Sequence, residues 1–180
     1  MKRLLVFPFL LASLGTQAAV ETHSAPPLTM HQCSQAEVTA FYFYHVANAS
    51  LYRQRCSHLH LSIKPPLMLV FHYNHDIPAK GFRESSVHII KENLSKTDYA
   101  RLASRIDTFN RSYRDTRKGD VYRLEYRSDG RFLLYFNDRL IATEKGDEFA
   151  RDYLKIWFGK KPFSRSLKTQ LLTRTGGLHG

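Results

Sequence analysis

The spacing of apolar residues assigns most of the elements before any other property is considered. Leu67-Met-Leu-Val-Phe71 is a continuous apolar run, the pattern of a strand buried on both faces, and it predicts a strand over about 67–74. Tyr122, Leu124 and Tyr126 alternate with Arg123, Glu125 and Arg127, so that strand has one solvated face. Ser128-Asp129-Gly130 turns the chain into Arg131–Phe136, and Asn137-Asp138 turns it again into Leu140-Ile141-Ala142. Together these predict a three-stranded antiparallel meander. Upstream, strands are predicted at about 36–44 and 46–53, with the chain folding back between Tyr44 and Ala47. Ser57-His-Leu-His-Leu-Ser62 also alternates, and Pro65-Pro66 separates it from the apolar run.

Helical spacing appears between these strand regions. Tyr99, Leu102, Ile106, Phe109 and Tyr113 recur at intervals of three and four, one apolar helix face. Ser95 is a good N-cap with Asp98 three residues on, and Leu94 and Tyr99 hold the hydrophobic-staple positions. Pro78 to Asn93 reads as an earlier helix with Phe82, Val87, Ile89 and Ile90 toward the core. Two further helices are predicted, at Asp147–Phe158, stopped by Gly159, and at Ser164–Leu172. Strands, helices, strands, helices is an α+β order: an antiparallel sheet covered by helices on one face.

The N-terminus has a different character. Met1-Lys2-Arg3 is followed by an apolar run from Leu4 to Leu14 and then by Gly15-Thr-Gln-Ala-Ala19. That is the order of a secretory signal peptide, cut after Ala18 or Ala19. The expected organisation is a signal peptide over 1–19, a tether over 20–32, a domain over 33–173 and a flexible tail over 174–180. Export changes how the cysteines read. Cys33 and Cys56 are the only two, and an oxidising compartment favours their pairing over two buried thiols. A hairpin centred between them brings them opposite one another. In a bacterium with an outer membrane, the destination is the periplasm.

Composition adds a charge of +11 and a pI near 9.8, which invites nucleic acid, an anionic membrane or an acidic ligand. Loss of Lys2 and Arg3 with the signal peptide leaves 25 basic against 16 acidic residues, or +9. Export removes nucleic acid as the usual partner. The remaining charge concentrates in Arg151, Lys155, Lys160, Lys161, Arg165, Lys168 and Arg174, a face suited to weak contact with an anionic membrane surface. No Gly-x-Ser-x-Gly, Gly-x-Gly-x-x-Gly or P-loop pattern occurs, so hydrolase and nucleotide readings lack an anchor. His58-x-His60 and His72-Tyr-Asn-His75-Asp76 are the candidates for a metal, but they match no zinc spacing, and no metal or cofactor is expected. Aromatic residues reach 13%, enough to line a sizeable core or a hydrophobic pocket.

Several segments, taken in order, resemble the chalcone isomerase-like family in its bacterial exported branch. They are Tyr44-His-Val-Ala-Asn-Ala-Ser-Leu-Tyr52, Lys118-Gly119-Asp120, Leu134-Tyr-Phe-Asn137 and Phe149-Ala-Arg-Asp-Tyr-Leu-Lys-Ile-Trp-Phe-Gly159, followed by Leu167 and Leu171-Leu172. The resemblance spans about residues 35–172. It implies an open-faced β-sandwich, with a hydrophobic cleft between sheet and helices. Family members are either isomerases that close a chalcone ring or non-catalytic relatives, some of which bind fatty acids. An isomerase needs a cation to hold an oxyanion, with hydroxyl and amide groups around the substrate. The positions matching those groups fall here near Gln35, at Ala47, and at Phe82 and Ile89. The resemblance therefore implies a non-catalytic protein that binds an apolar carboxylate such as a fatty acid.

Within that reading, Arg53 and Arg83 are candidate clamps for the carboxylate. Tyr42, Tyr44, Tyr73 and Tyr99 are candidate hydroxyl donors or wall residues. Two alternatives stand beside it. One is an intramolecular lyase acting on a chalcone-like unsaturated ketone; the other is a membrane-surface module using the C-terminal basic face.

Overall fold

The computed structural model describes residues 30–40, 44–56 and 63–173. The segment read as a signal peptide, Tyr42, the Ser57–Ser62 segment with His58 and His60, and the C-terminal residues with Arg174 lie outside them.

Among the described residues six strands form one antiparallel sheet in sequence order. They are β1 (His31–Ala40), β2 (Tyr44–Arg53), β3 (Leu67–Tyr73), β4 (Val121–Tyr126), β5 (Arg131–Phe136) and β6 (Arg139–Lys145). Five helices accompany them there: α1 (Ala79–Asn93), α2 (Lys96–Asn110), α3 (Asp147–Tyr153), α4 (Lys155–Phe158) and α5 (Arg165–Leu172). The α+β architecture is as expected, a sheet with helices on one face.

Register decides which side chains meet the helices. Leu69 lies opposite Leu51 and Leu124, and Phe71 opposite Ala49 and Tyr122, so these residues share the covered face. Tyr122, Leu124 and Tyr126 of β4 then face the same way as Phe136, Leu134 and Phe132 of β5. The opposite face carries His72, Arg123 and Glu125. An aromatic cluster fills the space beneath α2 and α3: Phe109 lies 5.5 Å from the rings of Phe132 and Phe149 and 5.0 Å from Tyr153, centroid to centroid.

Four local expectations change. Ala36 opposite Ala49 and Val38 opposite Ala47 centre the first hairpin on about residue 42, not between 44 and 47. Tyr44 to Ala47 is therefore strand; the aromatic run around it favours strand throughout, with no Gly or Pro to mark a turn. β1 begins at His31, inside the segment read as tether. The helix expected over 147–158 is two helices meeting at Leu154, where the Trp157 N–H donates to the Leu154 carbonyl at 3.1 Å, a tighter i→i+3 bond. The apolar face read through Tyr113 ends earlier as helix, at Asn110, and the Tyr113 N–H closes a turn onto the Asn110 carbonyl.

Other signals act as read. Ser95 Oγ accepts from the Asp98 N–H at 3.0 Å and starts α2. Ser164 does the same for α5, accepting from Leu167 N–H at 3.2 Å. A disulfide joins Cys33 and Cys56, with Cys33 in the β-bulge between Gln32 and Ser34 and Cys56 beyond the end of β2.

The junction of α1 with the end of α4 leaves no room for a side chain at Gly159. A Cβ there would collide with the Asn93 side chain and the Lys155 carbonyl. Asn93 is itself committed: its amide donates to the Lys161 carbonyl at 2.7 Å and to the Ile89 carbonyl at 2.9 Å, and its Oδ1 accepts from the Lys161 N–H at 2.9 Å. Gly159→Ala should therefore destabilise the protein by about 2 kcal/mol through overpacking. A lowered denaturant midpoint with an unchanged m-value is the expected result.

Candidate functional site

A cavity of about 380 Å³ opens between α1, the α4–α5 region and the β2–β3 end of the sheet. Ligand sites fall in the range of about 300–1,000 Å³. Each contributing element has a simple reason to be there. On α1, Gly81, Phe82, Ser85, Ser86 and Ile89 follow helical spacing, so one stripe of the helix faces the space. From the sheet come Val38, Val46, Phe71 and Tyr73, and from α4 come Ile156 and Trp157. Tyr113, just past α2, completes the buried wall, whereas Tyr44 and Phe163 at the rim are 46% and 42% exposed. His75 and Asp76 lie in the loop after β3.

The rim has one ordered polar pair. Tyr44 Oη and His75 Nδ1 are 2.9 Å apart, and the two rings lie 4.4 Å apart. The wall is aromatic: Phe82 meets Tyr73 edge-on at 5.4 Å and stacks on Tyr113 at 5.4 Å.

Most wall hydroxyls have protein partners. Tyr113 Oη sits 3.0 Å from Tyr153 Oη, which donates to Asn110 Oδ1 at 2.6 Å. Ser86 Oγ donates to the Phe82 carbonyl. Behind the wall, Tyr122 accepts from the Arg114 N–H at 2.7 Å and donates to the Arg114 carbonyl at 2.9 Å. Burial pushes the Tyr113 phenol up to about 12, despite the opposing effect of its hydrogen bond with Tyr153. Burial also pushes Tyr73 well above its ordinary value, with Tyr113 and Tyr122 adding to the shift. These phenols are neutral donors and not bases.

Of the six side chains expected to hold a ligand, Tyr44 and Tyr73 line the cavity. Tyr42 lies outside the described residues. Neither Arg53 nor Arg83 is among the cavity's lining residues. Arg53 closes the far end of β2, about 23 Å from Val46 at ~3.3 Å per residue. It is half-buried, which lowers its pKa, and its Nη2 donates to the Lys64 carbonyl at 3.2 Å. Arg83 follows Phe82, a step of about 100° around α1 that carries it off the lining stripe. Tyr99 lies on α2 with Lys91 Nζ 4.9 Å above its ring. Ser86, Tyr113 and Trp157 were not singled out as site residues. The sequence signal for the first was present in α1, whose stripe includes Phe82 and Ile89. Tyr113 and Trp157 are indistinguishable from core positions without the tertiary arrangement.

The positions that the family resemblance matched to catalytic groups divide in the same way. Phe82 and Ile89 line the cavity as apolar wall. Ala47 is fully buried, while Gln35 is exposed on β1. No described cluster of three or more His, Cys, Asp or Glu side chains has metal-binding geometry.

The chalcone isomerase-like family model matches residues 38–173, most of the chain. The chain belongs to the chalcone isomerase-like family. Among solved structures it is similar to a fatty-acid binding protein of Arabidopsis thaliana, with 11% identity, a TM-score of 0.50, and coverage of 81% of this chain and 85% of that one. At that identity the likeness shows the fold. No curated protein matches.

The basic residues of this chalcone isomerase-like domain are partly neutralised. Lys155 Nζ lies 2.6 Å from Asp152, Lys161 Nζ lies 2.7 Å from Glu92, and Lys168 Nζ donates to the Gly159 carbonyl at 2.8 Å. Arg151, Lys160 and Arg165 are exposed. Among the described residues no helix is long and apolar enough to cross a membrane.

Proposed function

We propose that the protein binds an apolar small molecule with one polar end, of the fatty-acid class, and holds it without transforming it. The observation that carries this reading is the cavity of about 380 Å³, walled by Val46, Phe71, Ile89, Ile156 and Trp157. Burying apolar ligand surface there is worth about 25 cal/mol per Å². The non-catalytic half of the reading is supported by Ala47, Phe82 and Ile89, the residues that the family resemblance matches to functional side chains of the isomerases. That the similar Arabidopsis protein is a fatty-acid binding protein supports the ligand class.

Export belongs to the same proposal. It is supported by the charged start, the apolar run and Ala18-Ala19, and by the Cys33–Cys56 disulfide, which suits an oxidising compartment such as the periplasm. A bacterial exported branch of the family is the matching assignment.

Trp157 is the chain's single tryptophan and lines the cavity, so its emission reports occupancy. Titration with fatty acids of increasing chain length should change that emission saturably, with affinity rising with chain length until the cavity is filled. An unchanged emission across the whole series, with no heat of binding, would refute the reading.

A further inference from the structure

The cavity wall contains a polar atom that the protein does not use. Tyr73 is 9% exposed and lines the cavity, yet its hydroxyl has no hydrogen-bond partner among the described residues. It is not sealed in: the one fully enclosed side-chain polar atom without a partner there is Asn110 Nδ2. Tyr73 Oη therefore meets the open space. The neighbouring hydroxyls are committed, Tyr113 to Tyr153, Ser86 to the Phe82 carbonyl and Tyr122 to Arg114. A hydroxyl that faces the cavity without a protein acceptor is available to a ligand, and a ligand that displaces water from it must supply the acceptor or leave the donor unpaired, which is costly.

The same wall is unsuited to a negative charge. Its described lining includes no Lys or Arg, and its one formally charged carboxylate, Asp76, stands at the opening. An ionised carboxylate brought to Tyr73 would give up its hydration for one neutral hydroxyl, with no Lys or Arg in the described lining to offset the loss; the lining imidazole, His75, stands at the rim against Tyr44.

We propose that the ligand enters polar end first and presents an uncharged oxygen acceptor, a carbonyl, to the Tyr73 hydroxyl. This rests on the small-molecule reading of the cavity and narrows it. A fatty acid binds by this route as its neutral acid, and ketones, esters and aldehydes of similar length bind better than its anion.

The test compares decan-2-one with decanoate by calorimetry at pH 8, where the acid is ionised. The ketone should bind at least about tenfold more tightly. Tyr73→Phe, which keeps the ring and removes only the hydroxyl, should weaken the ketone by roughly three- to tenfold, the range of one neutral hydrogen bond. The carbonyl stretch of the bound ketone should lie at lower frequency in the unsubstituted protein than in Tyr73→Phe. Decanoate binding as tightly as the ketone would overturn the uncharged head group. A carbonyl band and ketone affinity unmoved by Tyr73→Phe would overturn the Tyr73 contact. Failure of both probes to bind would instead remove the ligand-binding reading beneath the proposal.

Discussion

Ile89→Trp should lower the affinity for a fatty acid by about a hundredfold or more while leaving the fold in place. Ile89 is a buried member of the α1 stripe that faces the cavity, beside Ser85, Ser86 and Phe82. An indole at that position projects into the empty volume. Excluding about 110 Å² of apolar ligand surface at ~25 cal/mol per Å² costs about 2.7 kcal/mol, which is the hundredfold. The stability effect is small because the added ring enters space and not packed core, so circular dichroism and the melting temperature should stay close to those of the unsubstituted protein. Calorimetric titration reads the affinity. If the ring disturbs the helix, Val46→Phe fills the same cavity from the sheet side and should give the same loss. Retained affinity in both folded variants would show that the ligand binds elsewhere.

Phe109→Ala should have the largest effect on stability. Phe109 is 2% exposed and contacts Phe132, Phe149 and Tyr153, thereby tying α2 to β5 and α3. Truncating a buried Phe removes both its transfer free energy and its packing contacts, at a cost of about 4 kcal/mol. For a domain of this size the melting temperature should fall by roughly 10 °C. The cluster lies to one side of the cavity and contributes none of its described lining residues, so the folded fraction should still bind ligand. A fall of only a degree or two in a thermal melt would mean that the cluster does not hold the two layers together.

Much of this architecture was legible because local signals and tertiary structure agree. The alternation through Tyr122, Leu124 and Tyr126 marks the covered face of β4 whatever surrounds it. Ser95 and Ser164 cap helices through bonds to residues three positions away, which need no distant partner. The first hairpin was misplaced because its aromatic residues favour strand equally at every position, so register is set by pairing with β3. The break at Leu154 was hidden for a related reason: every residue from Phe149 to Phe158 is compatible with one helix, and packing divides it.

The site was less legible than the fold. Tyr44 and Tyr73 reach the cavity because the β2–β3 pairing carries them to the same end of the sheet. Arg53 shares the covered face of β2 with Ala47, but at the opposite end, a distance that composition and motif cannot convey. Arg83 and Phe82 are adjacent in sequence and separated around the helix axis. The cavity itself arises from α1, α4 and two strands that are remote along the chain, so its mainly apolar walls read in sequence as ordinary core. What distinguishes Tyr73 from the other buried tyrosines is the absence of a partner for its hydroxyl among the described residues, and only the folded arrangement shows it.

The most direct measurement is native mass spectrometry of the protein purified from its own host under non-denaturing conditions. A fraction of the protein should carry one small apolar molecule, released unchanged on denaturation and absent from the Ile89→Trp variant prepared in parallel. Protein that emerges wholly ligand-free, and that remains so after incubation with a fatty-acid and methyl-ketone panel, would contradict the ligand-binding reading.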